Sequence, residues 1–288
     1  MGELIYGSYD QESLDLEYDM RIRCPHFAET FARLEADCTR VVERFDCRLD
    51  VPFGESALER LDIWPGGGSS PILLFIHGGY WRAFDKSMFR FMAERFVEAG
   101  ACVVLNNYDL CPNVTMDTIT EQNRRALAWI WSHAAEIGGD PDRIHVTGHS
   151  AGGHLTAMLL ATDWARYGLP GAPIRNACAV SGLFDLEPLR RSYLNADLRM
   201  DEETTRRNSP IHHIPDSAPE LIVAVGGGET DEFRRQSRSF AEAWLGRGLQ
   251  GEYLEVLDLD HVNVSAEYQR LESPLTRALF EQMDLDQG

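Results

Sequence analysis

From residue 71 the chain alternates between short apolar runs and longer stretches whose apolar positions recur every three or four residues. PILLFIH is short enough to be a buried strand. KSMFRFMAERFVEAG then predicts an amphipathic helix, with Phe89, Met92, Phe96 and Val97 on one face and Gly100 as its stop. ACVVLNN followed by TITEQNRRALAWIWSHAAEIG repeats the scheme, as does DRIHVTG followed by HLTAMLLATDWA. NACAVSG, ELIVAVGG and GEYLEVLDL supply three more strands, with DEFRRQSRSFAEAWLGRG as a helix between the last two and a final helix over roughly 265–282. Strands that alternate with helices imply βαβ units. The expected class is α/β: one domain over 1–288, a mainly parallel sheet with helices on both faces.

Three stretches fall outside this alternation. PGGGSS at 65–70 reads as a turn between neighbouring strands ERLDIW and PILLFIH. Residues 10–46 look helical and are expected on the sheet edge or over its top. Residues 183–215 are too long for a plain connection and predict a small helical cap over the strand ends.

Composition narrows the partners. With 46 acidic against 27 basic residues the net charge is −19, a surface that repels nucleic acid. No run approaches the ~18 apolar residues of a membrane span. The acidic N-terminus lacks the apolar core of a secretory signal, so a soluble cytoplasmic protein is expected. Six cysteines form no CxxC pair and no metal-ligand cluster. No metal or cofactor is expected; the partner is a small molecule, and a homodimer stays open.

The chemistry concentrates in VTGHSAGGHL at 146–155. Gly148-His149-Ser150-Ala151-Gly152 has the form G-x-S-x-G between a strand and a helix, the context of a nucleophile elbow. A helix cap alone would not explain the upstream glycine. His77-Gly78-Gly79-Tyr80-Trp81 follows the strand PILLFI, where an oxyanion loop belongs in the α/β-hydrolase scheme. The hole is assigned to the N–H groups of Gly78 or Gly79 and of Ala151, with Tyr80 and Trp81 as pocket residues. Trp81 serves equally well as core packing. A serine nucleophile needs a base, and triad order in this scheme is Ser, acid, His. Of nine histidines, His261 follows the last strand. His77, His149 and His154 read as structural, and His212 and His213 as surface or capping residues. The acid belongs after ELIVAVG, where Glu229 is favoured over Asp231, which reads as an N-terminal helix residue.

HGGYW at 77–81, YDLCPNVTMDTITEQ at 108–122 and GHSAGGHL at 148–155 resemble motifs of the α/β-hydrolase type of kynurenine formamidase (arylformamidase) and its esterase relatives. So do SGLFDLEPL at 181–189, NSPIHH at 208–213 and DEFRRQS at 231–237. By position the resemblance implies Ser150 as nucleophile, His261 as base and Glu229 as acid, with Asp231 as the alternative. It implies hydrolysis of N-formyl-L-kynurenine to kynurenine and formate. The substrate's carboxylate and ammonium need polar partners; Arg190, Arg191, Arg206 and Arg207 lie in the cap region, but a solvated helix face is the favoured reading for any one of them. A general carboxylesterase would use the same residues, and a non-catalytic binding protein of this fold is the other alternative.

Overall fold

The computed structural model describes residues 2–169 and 171–286. Eight segments pair into one sheet: β1 (Arg48–Pro52), β2 (Arg60–Trp64), β3 (Ser70–Ile76), β4 (Cys102–Asn106), β5 (Gly139–His149), β6 (Ile174–Val180), β7 (Glu220–Gly226) and β8 (Gly251–Val256). Their order is β1-β2-β4-β3-β5-β6-β7-β8. Pairing is antiparallel for β1–β2 and β2–β4, and parallel from β4 onward. The chain has the α/β-hydrolase fold.

The continuous apolar runs follow from burial on both faces. In β3, Ile72, Leu74 and Ile76 enter one core while Leu73 and Phe75 enter the other. The first core is covered by the helices Met116–Ser132, Ala151–Leu160 and Asp231–Gly246; the second by Phe27–Arg44, Ala93–Glu98 and Pro274–Gln282.

Three expectations need correction. PGGGSS does not join neighbours, because β4 lies between β2 and β3. Leu61 to Trp64 of β2 pair instead with Asn106 to Val103 of β4. The helix expected after β3 opens as a 3₁₀ segment, Lys86–Met92, before the α-helix Ala93–Glu98. The final helix is also split. Asn263–Ala266 ends in a 3₁₀ turn, and a new helix starts at Pro274, capped by the Ser273 side chain on the Leu275 N–H. Proline lacks the N–H that a helix interior requires, so it suits this first position.

Residues 10–46 form the helices Gln11–Tyr18, Met20–Arg23 and Phe27–Arg44. The insertion forms three short helices, Glu187–Arg191, Asn195–Leu198 and Glu202–Arg207. The first N-terminal helix meets this insertion: the Asp15 carboxylate accepts the Tyr193 N–H (2.7 Å), and Gln11 donates to the Arg191 carbonyl (3.0 Å). No described helix is long and apolar enough to cross a membrane.

Candidate active site

The parallel strands end at one rim of the sheet, and the loops leaving β3, β5, β7 and β8 carry the candidate residues. β5 ends at His149, and the helix Ala151–Leu160 begins one residue after Ser150. Ser150 takes up the whole reversal, with φ +60° and ψ −119°. Such a backbone is costly for a residue with a Cβ and is held by its surroundings. Here the Ser150 N–H donates to the Val180 carbonyl (2.8 Å), and its own carbonyl accepts from His154 (3.1 Å). The glycines around it make room. A Cβ on Gly152 would collide with the Ile76 carbonyl, and one on Gly148 with the Gly152 carbonyl.

Gly78 and Gly79 bring the loop after β3 against this elbow. A Cβ on Gly78 would sit 2.9 Å from the His149 carbonyl oxygen and 3.0 Å from the Ser150 Cβ. Gly79 has φ +109°. The N–H groups of Gly78, Gly79 and Ala151 find no acceptor among the described residues. Unpaired donors that converge beside a serine hydroxyl could receive an oxyanion. His77 lies behind this loop, its ring stacked on Tyr108 at 4.3 Å, and its Nε2 is 3.0 Å from Asn107 Oδ1. Burial holds its pKa below the usual histidine value.

His261 and Glu229 are joined. His261 Nδ1 donates to Glu229 Oε2 at 2.6 Å, and both side chains are nearly fully buried. Glu229 Oε1 accepts from the Gly226 N–H (2.8 Å) and from the Ser181 hydroxyl. Each carboxylate oxygen is therefore committed, which fixes the plane of the group that orients the imidazole. Ser181, in the turn after β6 with φ +51°, is a positioning residue that the sequence reading did not pick out. Its signal was its place at a strand's carboxyl end in SGLFDLEPL. Asp231 does not join this network: it is exposed in the first turn of the helix Asp231–Gly246.

Ser150 and His261 share the wall of a cavity of about 370 Å³. The described contacts include no Ser150–His261 hydrogen bond, a contact that often tightens only around bound substrate. Phe27, Phe31 and Phe84 form an aromatic wall, with ring centroids 4.7 to 6.3 Å apart. Tyr80 also lines the cavity, and its hydroxyl donates to the Tyr18 carbonyl at 2.9 Å. Trp81 does not. Tyr80 and Trp81 have φ of +49° and +55°, and this twist turns the indole into the core, edge-on to His154 at 4.8 Å. Two of the three phenylalanines on the wall come from the N-terminal helical region, whose contribution had no motif to announce it.

The cap arginines are engaged elsewhere. Arg190 and Arg191 pair with Glu187, Arg207 pairs with Asp117, and none of these, nor Arg206, reaches the cavity. Arg82 and Arg21 line it instead. His212 and His213 are exposed, and the described residues assemble no group of three metal-binding side chains.

A family model named BD-FAE matches residues 63–168, which include the Gly78-Gly79 loop and the elbow at Ser150. A kynurenine formamidase of Danio rerio is 34% identical over 90% of this chain and 92% of its own length. The chain belongs to the kynurenine formamidase family. Esterase LipQ of Mycobacterium tuberculosis is 31% identical over 67% of this chain, which spans 52% of that protein. A solved structure from Silicibacter sp. tm1040, provisionally described as a thioesterase, superposes with a TM-score of 0.80 at 32% identity, covering 92% of this chain and 97% of that one. Formamidase and esterase relatives together make this chain a hydrolase.

Three buried histidines near the elbow, His145, His149 and His154, bear on stability. Burial pushes His154 down to about 4, and does the same for His145 with help from Arg143 and Arg175. Burial, then the nearby His261, holds His149 well below the usual value. The unfolded chain binds these protons near pH 6.5, before the folded chain does, so protonation favours unfolding. Stability from His145 and His154 is complete above that pH and is lost as pH falls toward about 4. The melting temperature should therefore drop between pH 7 and pH 5, and the drop should shrink in His145→Gln. An unchanged drop would exclude His145 as a contributor.

Proposed function

We propose that this chain is an arylformamidase that hydrolyses N-formyl-L-kynurenine to kynurenine and formate through Ser150, His261 and Glu229. The observation that carries the reading is the Glu229–His261 hydrogen bond, with His261 on the cavity wall that also holds Ser150. Ser150 Oγ attacks the formyl carbon while its proton passes to His261 Nε2, and Glu229 stabilises the imidazolium so formed. The oxyanion of the tetrahedral intermediate is received by the N–H groups of Ala151 and of Gly78 or Gly79. Collapse breaks the C–N bond, and His261 gives its proton to the departing aniline nitrogen. Water then attacks the formyl-serine, with His261 again taking a proton; formate leaves and the serine is restored.

A formyl group is the smallest acyl group and asks for little room beside Ser150 on the cavity wall. The aromatic amine lies against the phenylalanine wall. The volume falls within the range of about 300–1,000 Å³ typical of small-molecule sites. The esterase relative favours a second reading, a carboxylesterase acting on small acyl esters with the same residues.

Steady-state hydrolysis of N-formyl-L-kynurenine beside p-nitrophenyl acetate separates the two. The formamidase reading expects kcat/KM for the formamide well above that for the ester. Turnover of the ester alone would retire the substrate and leave the esterase reading.

A further inference from the structure

Arg82 is four residues beyond Gly78, in a turn closed by the N–H groups of Arg82 and Ala83 on the Gly79 carbonyl (3.1 and 3.0 Å). Its guanidinium lies 5.5 Å from the Tyr193 ring centroid, and Nη1 is held by the Asp197 carboxylate. Nε and Nη2 have no partner among the described residues, although the side chain is only 28% exposed. The free edge of this fork belongs to a residue that lines the cavity.

The charge around it is unusual for this chain. At a net charge of −19, most arginines described above are neutralised by neighbouring carboxylates. Arg82 too is paired, but through Nη1 alone with Asp197, and the cavity lining itself carries Arg82 and Arg21 against one described carboxylate, Asp19. Asp19 Oδ1 caps the helix Met20–Arg23 by accepting from the Arg21 and Ile22 N–H groups, so its other oxygen remains available. A neutral acyl ester has no use for this pair of opposite charges. A substrate with a zwitterionic arm has a use for both.

We propose that Arg82 is the specificity-determining residue for the α-amino-acid arm of the substrate. Nε and Nη2 bind its carboxylate as a fork, and Asp19 faces its ammonium. The proposal rests on the arylformamide reading of the site. Planar guanidinium geometry suits a carboxylate better than a lysine ammonium does. Because the turn that holds Arg82 begins at Gly79, next to Gly78, an arm held by Arg82 registers the formyl oxygen against the loop N–H groups. Asp197 and Tyr193, both from the insertion, hold the fork in place. The insertion thus acts in selectivity rather than in chemistry.

The test compares N-formyl-L-kynurenine with 2′-formamidoacetophenone, which keeps the aryl formamide and lacks the amino-acid arm. In Arg82→Met the ratio of their kcat/KM values should fall about 10- to 100-fold, the size of a lost charge-assisted contact, with most of the change in KM. Arg82→Lys should give an intermediate ratio, and serves if the methionine variant does not fold. An unchanged ratio in the folded variants overturns the proposal. A second measurement keeps the two readings apart: inhibition of p-nitrophenyl acetate hydrolysis by L-kynurenine and by 2-aminoacetophenone. If the wild type cleaves the ester and neither formamide, the arylformamidase reading fails. A preference for L-kynurenine that disappears in the variants still supports the subsite, and no preference in the wild type overturns it.

Discussion

Ser150→Ala should lower kcat/KM on N-formyl-L-kynurenine by about 10⁴- to 10⁶-fold, the scale of removing the nucleophile from a serine hydrolase. The backbone around the serine should survive the change. What holds φ at +60° is the Ser150 N–H on Val180 and the close approach of Gly148 and Gly152, none of which uses the hydroxyl. Alanine has the same Cβ and meets the same backbone, so the melting temperature should stay within a few degrees of the wild type. Residual turnover would come from the loop N–H groups and binding alone. Single-turnover and steady-state assays beside a melting curve decide the matter. Near-wild-type turnover in a folded Ser150→Ala protein would remove the serine mechanism altogether.

The elbow was legible because close backbone approach demands glycine, and glycine is visible in a sequence. The same holds for Gly78 and Gly79. What was not legible depended on partners far along the chain. Nothing in ERLDIW announces that β4, about 40 residues later, lies between it and β3. The aromatic wall shows the same limit: Phe27 and Phe31 belong to a helix whose inward face looks like any other buried helical face. Four of the motif stretches that resembled the family turn out to hold the site from behind. Tyr108 donates to the His77 carbonyl (2.7 Å), and Gln236 Oε1 accepts from Phe184 and Asp185 (2.8 and 2.9 Å). His154 Nε2 reaches the Asn208 carbonyl at 2.7 Å. YDLCP, SGLFDLEPL, NSPIHH and DEFRRQS are thus braces between loops, and the cavity wall lies elsewhere. Arg82 escaped notice for a related reason. An arginine beside a glycine-rich loop looks like surface until the insertion is seen to hold one edge of it and leave the other free.

Glu229→Gln should cost about 10³- to 10⁴-fold in kcat, the effect known for an amide in place of a triad carboxylate. The hydrogen bonds around this residue say how. The Gly226 N–H and the Ser181 hydroxyl both point at Oε1, so the amide oxygen must take that position. The amide nitrogen then occupies the place of Oε2 and presents a donor to His261 Nδ1. Nδ1 has to accept, which moves the single ring proton to Nε2, the atom that must receive the proton of Ser150. The base is still present, buried and in place, but in the wrong tautomer. A larger effect on kcat than on KM and a nearly unchanged melting temperature are the expected signs. Asp231→Asn removes a charge from an exposed first turn, a change of about 0.3–1 kcal/mol in stability, and should leave kcat within about threefold. Measuring both variants on one substrate places the acid. A loss confined to Asp231→Asn would mean that His261 exchanges its partner during turnover, and that the Glu229 pair is a resting arrangement.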